Sequence, residues 1–494
     1  MGAWREWLKS LKGEQPERTD VKAQDERQEP TFEHILGQFR DCSDLTHRSF
    51  PGCGVDVLYF GYLVGNDELL REIVGPFSRM AEREVSGLLA GSSFTRVDHA
   101  KTCVEGILYG KAAVFYAGET HLVDVSHPVG RSIEQSETES VIAGPHDGFV
   151  ESIAQNISVL RQRIRSSHLK TVRLTVGEVT KTEVVLAYLE GIANEEYVRT
   201  LTERIRDIEI DGVFEGNMLV QLIDDNPNSV FPQFMTTERP DSIASKIIGG
   251  RIAGFVEGSP SVFCCPTAFF DFFASPDDYY HRWLLGTAIR ILRFVGFMIT
   301  IGFTAFYVSV TTFHYEMIPH TMLLNLTESR SKVPFPPLME ALLMETTIEL
   351  LREAGARLPT KIGQTIGIVG GIVIGQASVQ AGFTSNILII AVATSAIASF
   401  VIPSYVMSGS IRLIRFGLII LAGMLGNLGL ILGVGLVIIH LAGITNLGAS
   451  YLTPIAPKNA SDLLDTFIRG PFWAIKERPS ISRSSNPIRN KMRK

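Results

Sequence analysis

IGQTIGIVGGIVIGQASVQAGFTSNILIIAVATSAIASFVIPSYVMSGSI, residues 362–411, contains no Asp, Glu, Lys or Arg. About 20 apolar residues cross a bilayer as a helix. The run is therefore long enough for two spans, Ile362–Val379 and Ile387–Ile402, with the turn at Gly382–Asn386. Phe416–Leu441 lies in a second uncharged run, and Phe294–Phe313 is a third. Before these runs, residues 1–283 carry charges throughout, as an ordinary soluble protein does. The 494-residue chain, of formal net charge -6, thus reads as an integral membrane protein with a large soluble N-terminal half.

Within the quoted run, Gly363, Gly367, Gly371 and Gly375 fall every fourth residue. Such glycines share one helix face, and in lipid small residues let a neighbouring helix approach closely. The neighbour is either an identical helix in a homo-oligomer or another helix of the same chain. The opposite face carries Ile366, Val369 and Val373, with Ile372 and Gln376 near its edges. Apolar rings gate pores by dewetting, so these five residues are the candidate pore lining and gate.

Pro337–Arg352 is a strong helix pattern containing Glu340, Glu345 and Glu349. Charges at membrane depth are costly, so this helix lies at the interface or faces a polar interior. The glutamates are candidate cation-attracting groups at a pore mouth, or partners in a structural ion pair such as Glu349 with Arg352. Glu340 and Glu345 have no partner close in sequence. Pro334, Pro336 and Pro337 form a stiff entry to the helix, because proline fixes φ and restricts the residue before it. That elbow either transmits motion or only starts the helix. Phe416–Leu441 is long for one span, and its six glycines allow it to kink or break into two halves. Four simple spans would leave Arg412 and Arg415 outside, and a broken last segment removes that conflict.

The remaining organisation follows from composition. Residues 1–31 hold a short amphipathic start, with Trp4, Trp7, Leu8 and Leu11 on one face, and a polar tether. Residues 32–240 alternate strand and helix patterns, which predicts a cytosolic α/β or α+β domain of two lobes. Its strands are Val55–Val64, Gly110–Gly118, Val172–Gly177 and Val184–Gly191, its helices Asp67–Pro76, Val150–Arg165 and Tyr197–Ile208. A boundary is expected in the polar stretch Ser126–Glu139. Residues 241–290 form an interfacial transition region. It has a hairpin at Arg251–Pro266, and the aromatics of Ala268–Trp283 suit a membrane interface. Residues 291–445 are an all-α transmembrane domain of four to six segments, and 446–494 a basic tail. The positive-inside rule places that tail in the cytosol, where it meets anionic lipid. The N-terminus has no signal-peptide pattern, which keeps the soluble half there too.

Several chemistries find no pattern. The five cysteines have neither disulfide-framework nor zinc spacing. There is no nucleophile elbow or Walker A loop, and no basic aromatic face for nucleic acid. Neither an enzyme, a cofactor nor a metal site is expected. No internal repeat supports a transporter.

Four stretches are specific together: SPDDYYHRW (Ser275–Trp283), VPFPPLMEALLMETTIELLREAGARLP (Val333–Pro359), GQTIGIVGGIVIGQASV (Gly363–Val379) and DTFIRGPFW (Asp465–Trp473). With AGPHDGFVESIAQNISVLRQRI (Ala143–Ile164) and TTERPD (Thr236–Asp241), this sequence resembles the GerA family of spore germination proteins over roughly 32–473. It looks like the A subunit of a germinant receptor, or the paralogue encoded with the spore dipicolinate-transport genes. The resemblance implies residence in the inner membrane of the spore. It also implies work with a transporter-like B subunit, which binds nutrient, and a lipoprotein C subunit. The A subunit would oligomerise into a channel for monovalent cations that signals germination. A membrane-anchored scaffold without its own pore is the alternative.

Overall fold

The computed structural model describes residues 28–127, 139, 141, 143–358, 371, 375–459 and 461–492. The amphipathic start at 1–12 and most of the tether lie outside them. The chain forms two compact units, Met1–Gly130 with Ile164–Lys170, and Arg131–Arg163 with Thr171–Lys494.

In the first unit, β1 (Leu45–Phe50), β2 (Val55–Phe60), β3 (Phe94–Arg96), β4 (Lys111–Tyr116) and β5 (Glu119–Asp124) make one sheet in the order β1-β2-β4-β5-β3. Its registered pairs are antiparallel. Side chains alternate across a strand, so Val57 and Val114 enter one apolar cluster while Leu58 and Ala113 enter another. α1 (Phe32–Gln38) and α2 (Ala100–Leu108) cover the second of these faces.

The second unit begins with α3 (Ile153–Arg163), β6 (Leu169–Val176) and β7 (Thr182–Leu189). Next come α4 (Glu195–Arg206), α5 (Gly216–Ile223), β8 (Met235–Thr237), α6 (Pro240–Ile248), β9 (Ile252–Val256) and β10 (Val262–Cys265). The strands order as β6-β7-β9-β10-β8, and β9–β10 is the hairpin expected around Gly258. Both sheets are antiparallel wherever register is defined, so the N-terminal architecture is α+β. In the aromatic stretch after β10, Phe269, Phe272 and Phe273 are buried against Tyr451, Phe294 and Phe297, while Tyr280 and Trp283 are exposed. Local composition gives no sign that distant aromatic partners enclose the phenylalanines.

Five helices follow: α7 (Trp283–Phe313), α8 (His320–Arg330), α9 (Pro337–Arg357), α10 (Asn386–Ser399) and α11 (Tyr405–Gly443). Among the described residues, α7 and α11 are long and apolar enough to cross a membrane, while α10 is apolar but shorter. α11 reverses on itself. Gly426 sits within it at φ 63°, ψ -144°, a conformation that costs glycine little. A Cβ on Gly429 would strike Leu421, and one on Gly433 would strike Leu418 and Leu421. A straight helix would hold residues 418 and 433 about 22 Å apart. Met407 and Ile411 likewise share a cluster with Leu441 and Ile444. Residues 405–425 and 427–443 are therefore antiparallel legs.

The hairpin gives the bundle two ends. At its base, Ser410 donates to the Val230 carbonyl (2.6 Å) and His440 bonds Ser229 (2.9 Å). At its tip, Ser309 donates to Asn427 (2.7 Å), and the Asn427 N–H donates to His314 (3.3 Å). α7 thus runs from base to tip. α9 runs back: Leu338 packs at Gly423, and Arg352 donates to Ser399 (2.9 Å). α10 also runs towards the base, from Ser385 beside Tyr307 (3.1 Å) to Ser395, which donates to the Thr300 carbonyl (3.1 Å).

Candidate functional site

Three carboxylates of α9 enter the bundle interior. Glu345 and Arg415 are both 0% exposed and lie 2.7 Å apart. Glu345 also accepts from Thr304 (2.8 Å). Arg415 reaches Glu349 (3.2 Å) and Ser395 (3.1 Å), and Arg412 approaches Glu349 from the same leg of α11 (3.2 Å). Nearer the tip, Glu340 lies 3.4 Å from Arg330 and accepts from the Ser385 N–H (3.2 Å). Taking each ion out of water costs several kcal/mol, and pairing roughly cancels that cost. The network therefore does little for net stability. It does fix the register of α9 against α11, because sliding either helix strands a buried charge.

A second charged layer joins the bundle to the α+β part of the same unit. Arg239 is 2% exposed and grips Asp241 with two bonds (3.1 and 2.9 Å) and Asp277 with a third (3.0 Å). Asp278, fully buried, accepts from Arg293 (2.7 Å) and Arg290 (3.2 Å) on the first turns of α7. Arg290 continues to Asp465 (3.2 Å), which also accepts from Tyr279 (2.8 Å). The close approach is built on Gly286, where a Cβ would lie 2.6 Å from the Asp278 carbonyl. Asp271 ties to Arg251 (2.8 Å) and Lys246 (3.0 Å). Burial alone would raise its pKa, but these two cations outweigh it and hold the carboxyl well below its usual range. Tyr280 donates to Asp241 (2.7 Å), and burial together with that bond pushes its hydroxyl up to about 12.

Of the residues that the sequence places at a pore, Gly363, Gly367, Ile366, Val369, Ile372 and Val373 lie outside the described residues. Gly371 and Gly375 are described, and no described atom stands within 4 Å of a Cβ built on either. Gln376 is exposed. Pro337 occupies the first turn of α9 with Pro336 as its N-cap, and Pro334 precedes them. Glu345 and Glu349 meet at Arg415, whereas Glu340 belongs to a separate pair. Sequence reasoning missed these arginine partners. Their signal was present, since Arg412 and Arg415 alone carry charge between Lys361 and Lys458. The junction residues are legible in the sequence only as the stretches SPDD, TTERPD and DTFIRG, not one by one.

Comparison with known proteins identifies relatives of this sequence. The family model described as Bacillus/Clostridium GerA spore germination protein matches residues 33–481. Spore germination protein GerQA of Bacillus cereus is 47% identical over 368 residues, covering 74% of each chain. Spore germination protein KA of Bacillus subtilis is 40% identical over 385 residues, 78% of this chain and 71% of that one. An uncharacterized membrane protein of Bacillus subtilis, YfkQ, is 35% identical over 458 residues, 90% of this chain and 89% of that one. Among solved structures, the N-terminal domain of the A subunit of the Bacillus megaterium spore germinant receptor GerK3 is 24% identical. That match covers 48% of this chain and 93% of that one at a TM-score of 0.37. On the family match and the identities of its relatives, the chain belongs to the GerA family of spore germination proteins.

Proposed function

We propose that this chain is the membrane subunit of a nutrient germinant receptor in the inner membrane of the spore. It assembles with copies of itself around a pore. It passes monovalent cations when a transporter-like B subunit, accompanied by a lipoprotein C subunit, binds nutrient. The observation that carries the reading is the inverted polarity of the bundle. Its ion pairs are interior, while Met298, Leu413, Leu428 and Ile439 lie 60%, 61%, 61% and 70% exposed. Water would punish that arrangement and a bilayer favours it. α7, α9, α10 and the two legs of α11 make five crossings in this reading, and the span expected at Ile362–Val379, most of it outside the described residues, would be the sixth. An even number returns the C-terminal tail to the cytosolic side with the α+β part. Among the described residues no atom lies within 4 Å of a Cβ on Gly371 or Gly375, and we assign that small-residue face to a second copy.

A scaffold without its own pore is the second reading. Neutralisation of Glu345 and Glu349 by arginines of the same chain favours it, because no free ring of carboxylates then remains there to attract cations. Full-length protein purified in detergent and reconstituted in vesicles separates the two. The pore predicts a closed oligomer of one size and a potassium leak that rises when Val373→Ser wets the gate. A strict monomer, silent in both forms, sinks the pore and leaves the scaffold.

A further inference from the structure

We propose that a cleft at the start of α7 binds one anionic phospholipid, its phosphate between Arg282 and Arg469 and one acyl chain along α7. The inference rests on the reading that α7 crosses a membrane. A cavity of about 810 Å³ opens there, lined by His281, Arg282, Trp283, Arg469, Phe472 and Trp473 among others. Arg469 is 2% exposed, and its Nε has no hydrogen-bond partner. Its guanidinium otherwise meets the Tyr279 carbonyl (3.3 Å) and the rings of Phe472 (4.3 Å) and Tyr279 (5.5 Å). Among the described residues, no carboxylate pairs with Arg469 or with the exposed Arg282. A buried guanidinium without an anion is expensive, and its planar fork suits phosphate.

The lipid class follows from what adjoins this cavity. A second, open groove of about 500 Å³ lies along α7 against Ile291, Val295, Met298, Gly302 and Phe306, with Phe467 on its border. Leu284, Ile291, Val295, Met298 and Gly302 fall on one helical face by their spacing, so the cavity and the groove share that face. The segment carrying Phe467 and Arg469 borders both. α7 rises about 16 Å from Ile291 to Gly302, close to the depth of one leaflet of a bilayer about 30 Å thick. Trp283 and Trp473 are 43% and 46% exposed at the mouth, where indole rings settle at headgroup level. A water-soluble phosphate would have no use for the apolar groove, and a zwitterionic headgroup would leave the arginines half-answered.

Quenching of the two mouth tryptophans tests this in full-length protein carrying Trp4→Phe and Trp7→Phe, which leaves Trp283 and Trp473 as the only indoles. The protein is placed in phosphatidylcholine vesicles containing a minority of brominated-chain phosphatidylglycerol or, separately, brominated-chain phosphatidylcholine. The phosphatidylglycerol is expected to quench at a mole fraction roughly 25-fold lower, about fivefold for each of the two arginines engaged. Arg282→Gln, an exposed change that spares folding, should lower that preference, and Arg469→Gln should lower it further. Equal quenching by the two lipids overturns the proposal while leaving the membrane reading intact. A preference abolished by inorganic phosphate overturns it in favour of a free phosphate site. Tryptophans quenched by neither lipid but crosslinked between chains overturn it in favour of a second copy. Protein that fails to float with the vesicles overturns both this proposal and the membrane reading.

Discussion

Arg415 shows how much a single residue can decide in this bundle. It holds Glu345 at 2.7 Å and Glu349 at 3.2 Å with no exposed surface of its own. Replacing it with Gln strands Glu345 among apolar helices, while Glu349 keeps Arg412, a change worth about 3–5 kcal/mol. Arg415→Gln should therefore lower the detergent melting temperature by several degrees. Glu345→Gln added to it should recover part of the loss, because the stranded charge is gone. A double variant whose loss equals the sum of the single losses would show that the pair does not interact. The glutamates of α9 were legible in the sequence as residues needing an explanation. Their partner was not, since Glu345 and Arg415 are far apart in the chain and helical spacing reports only neighbours three or four residues away.

At the scale of elements, the glycines of α11 divide into two kinds that the sequence presents alike. Gly429 and Gly433 sit where the legs meet, whereas Gly435 has nothing within 4 Å of its would-be Cβ. Gly433→Leu should force the legs apart at Leu418 and Leu421, an overpacking cost of about 1–3 kcal/mol. Gly435→Leu should leave the melting temperature nearly unchanged. Equal effects in the two variants would mean that the hairpin is not the packed unit. The possibility of a break was readable from the glycine content. Its position was not, because only the positive φ of Gly426 singles it out among its neighbours. Of the other helices, α9 and α10 lie where the sequence places them, α7 and α11 begin earlier than expected, at Trp283 and Tyr405, and α8 was not foreseen. The first turns of α7 carry Arg290 and Arg293, both buried and paired with Asp278.

For the whole molecule, the hairpin bears directly on orientation. An unbroken α11 would carry the chain across once and leave the basic tail opposite the α+β part. Folded at Gly426, it returns, and Arg412 and Arg415 come to lie in the half of the leg nearer its base. This predicts a labelling pattern. All five native cysteines are buried, so a cysteine introduced on the surface reports alone. Leu324→Cys on α8, 74% exposed beyond the far end of α7, should react with an impermeant maleimide added to one face of sealed vesicles. Lys458→Cys, exposed after the second leg, should react only from the opposite face. Both sites labelled from one face would mean that α7 and the hairpin do not separate them, and the even count of crossings would fall. The expected pattern would tie the Asp278, Arg290 and Asp465 layer to the membrane surface on the side of the α+β part. A rotation of that part could then be felt directly by the first turns of α7.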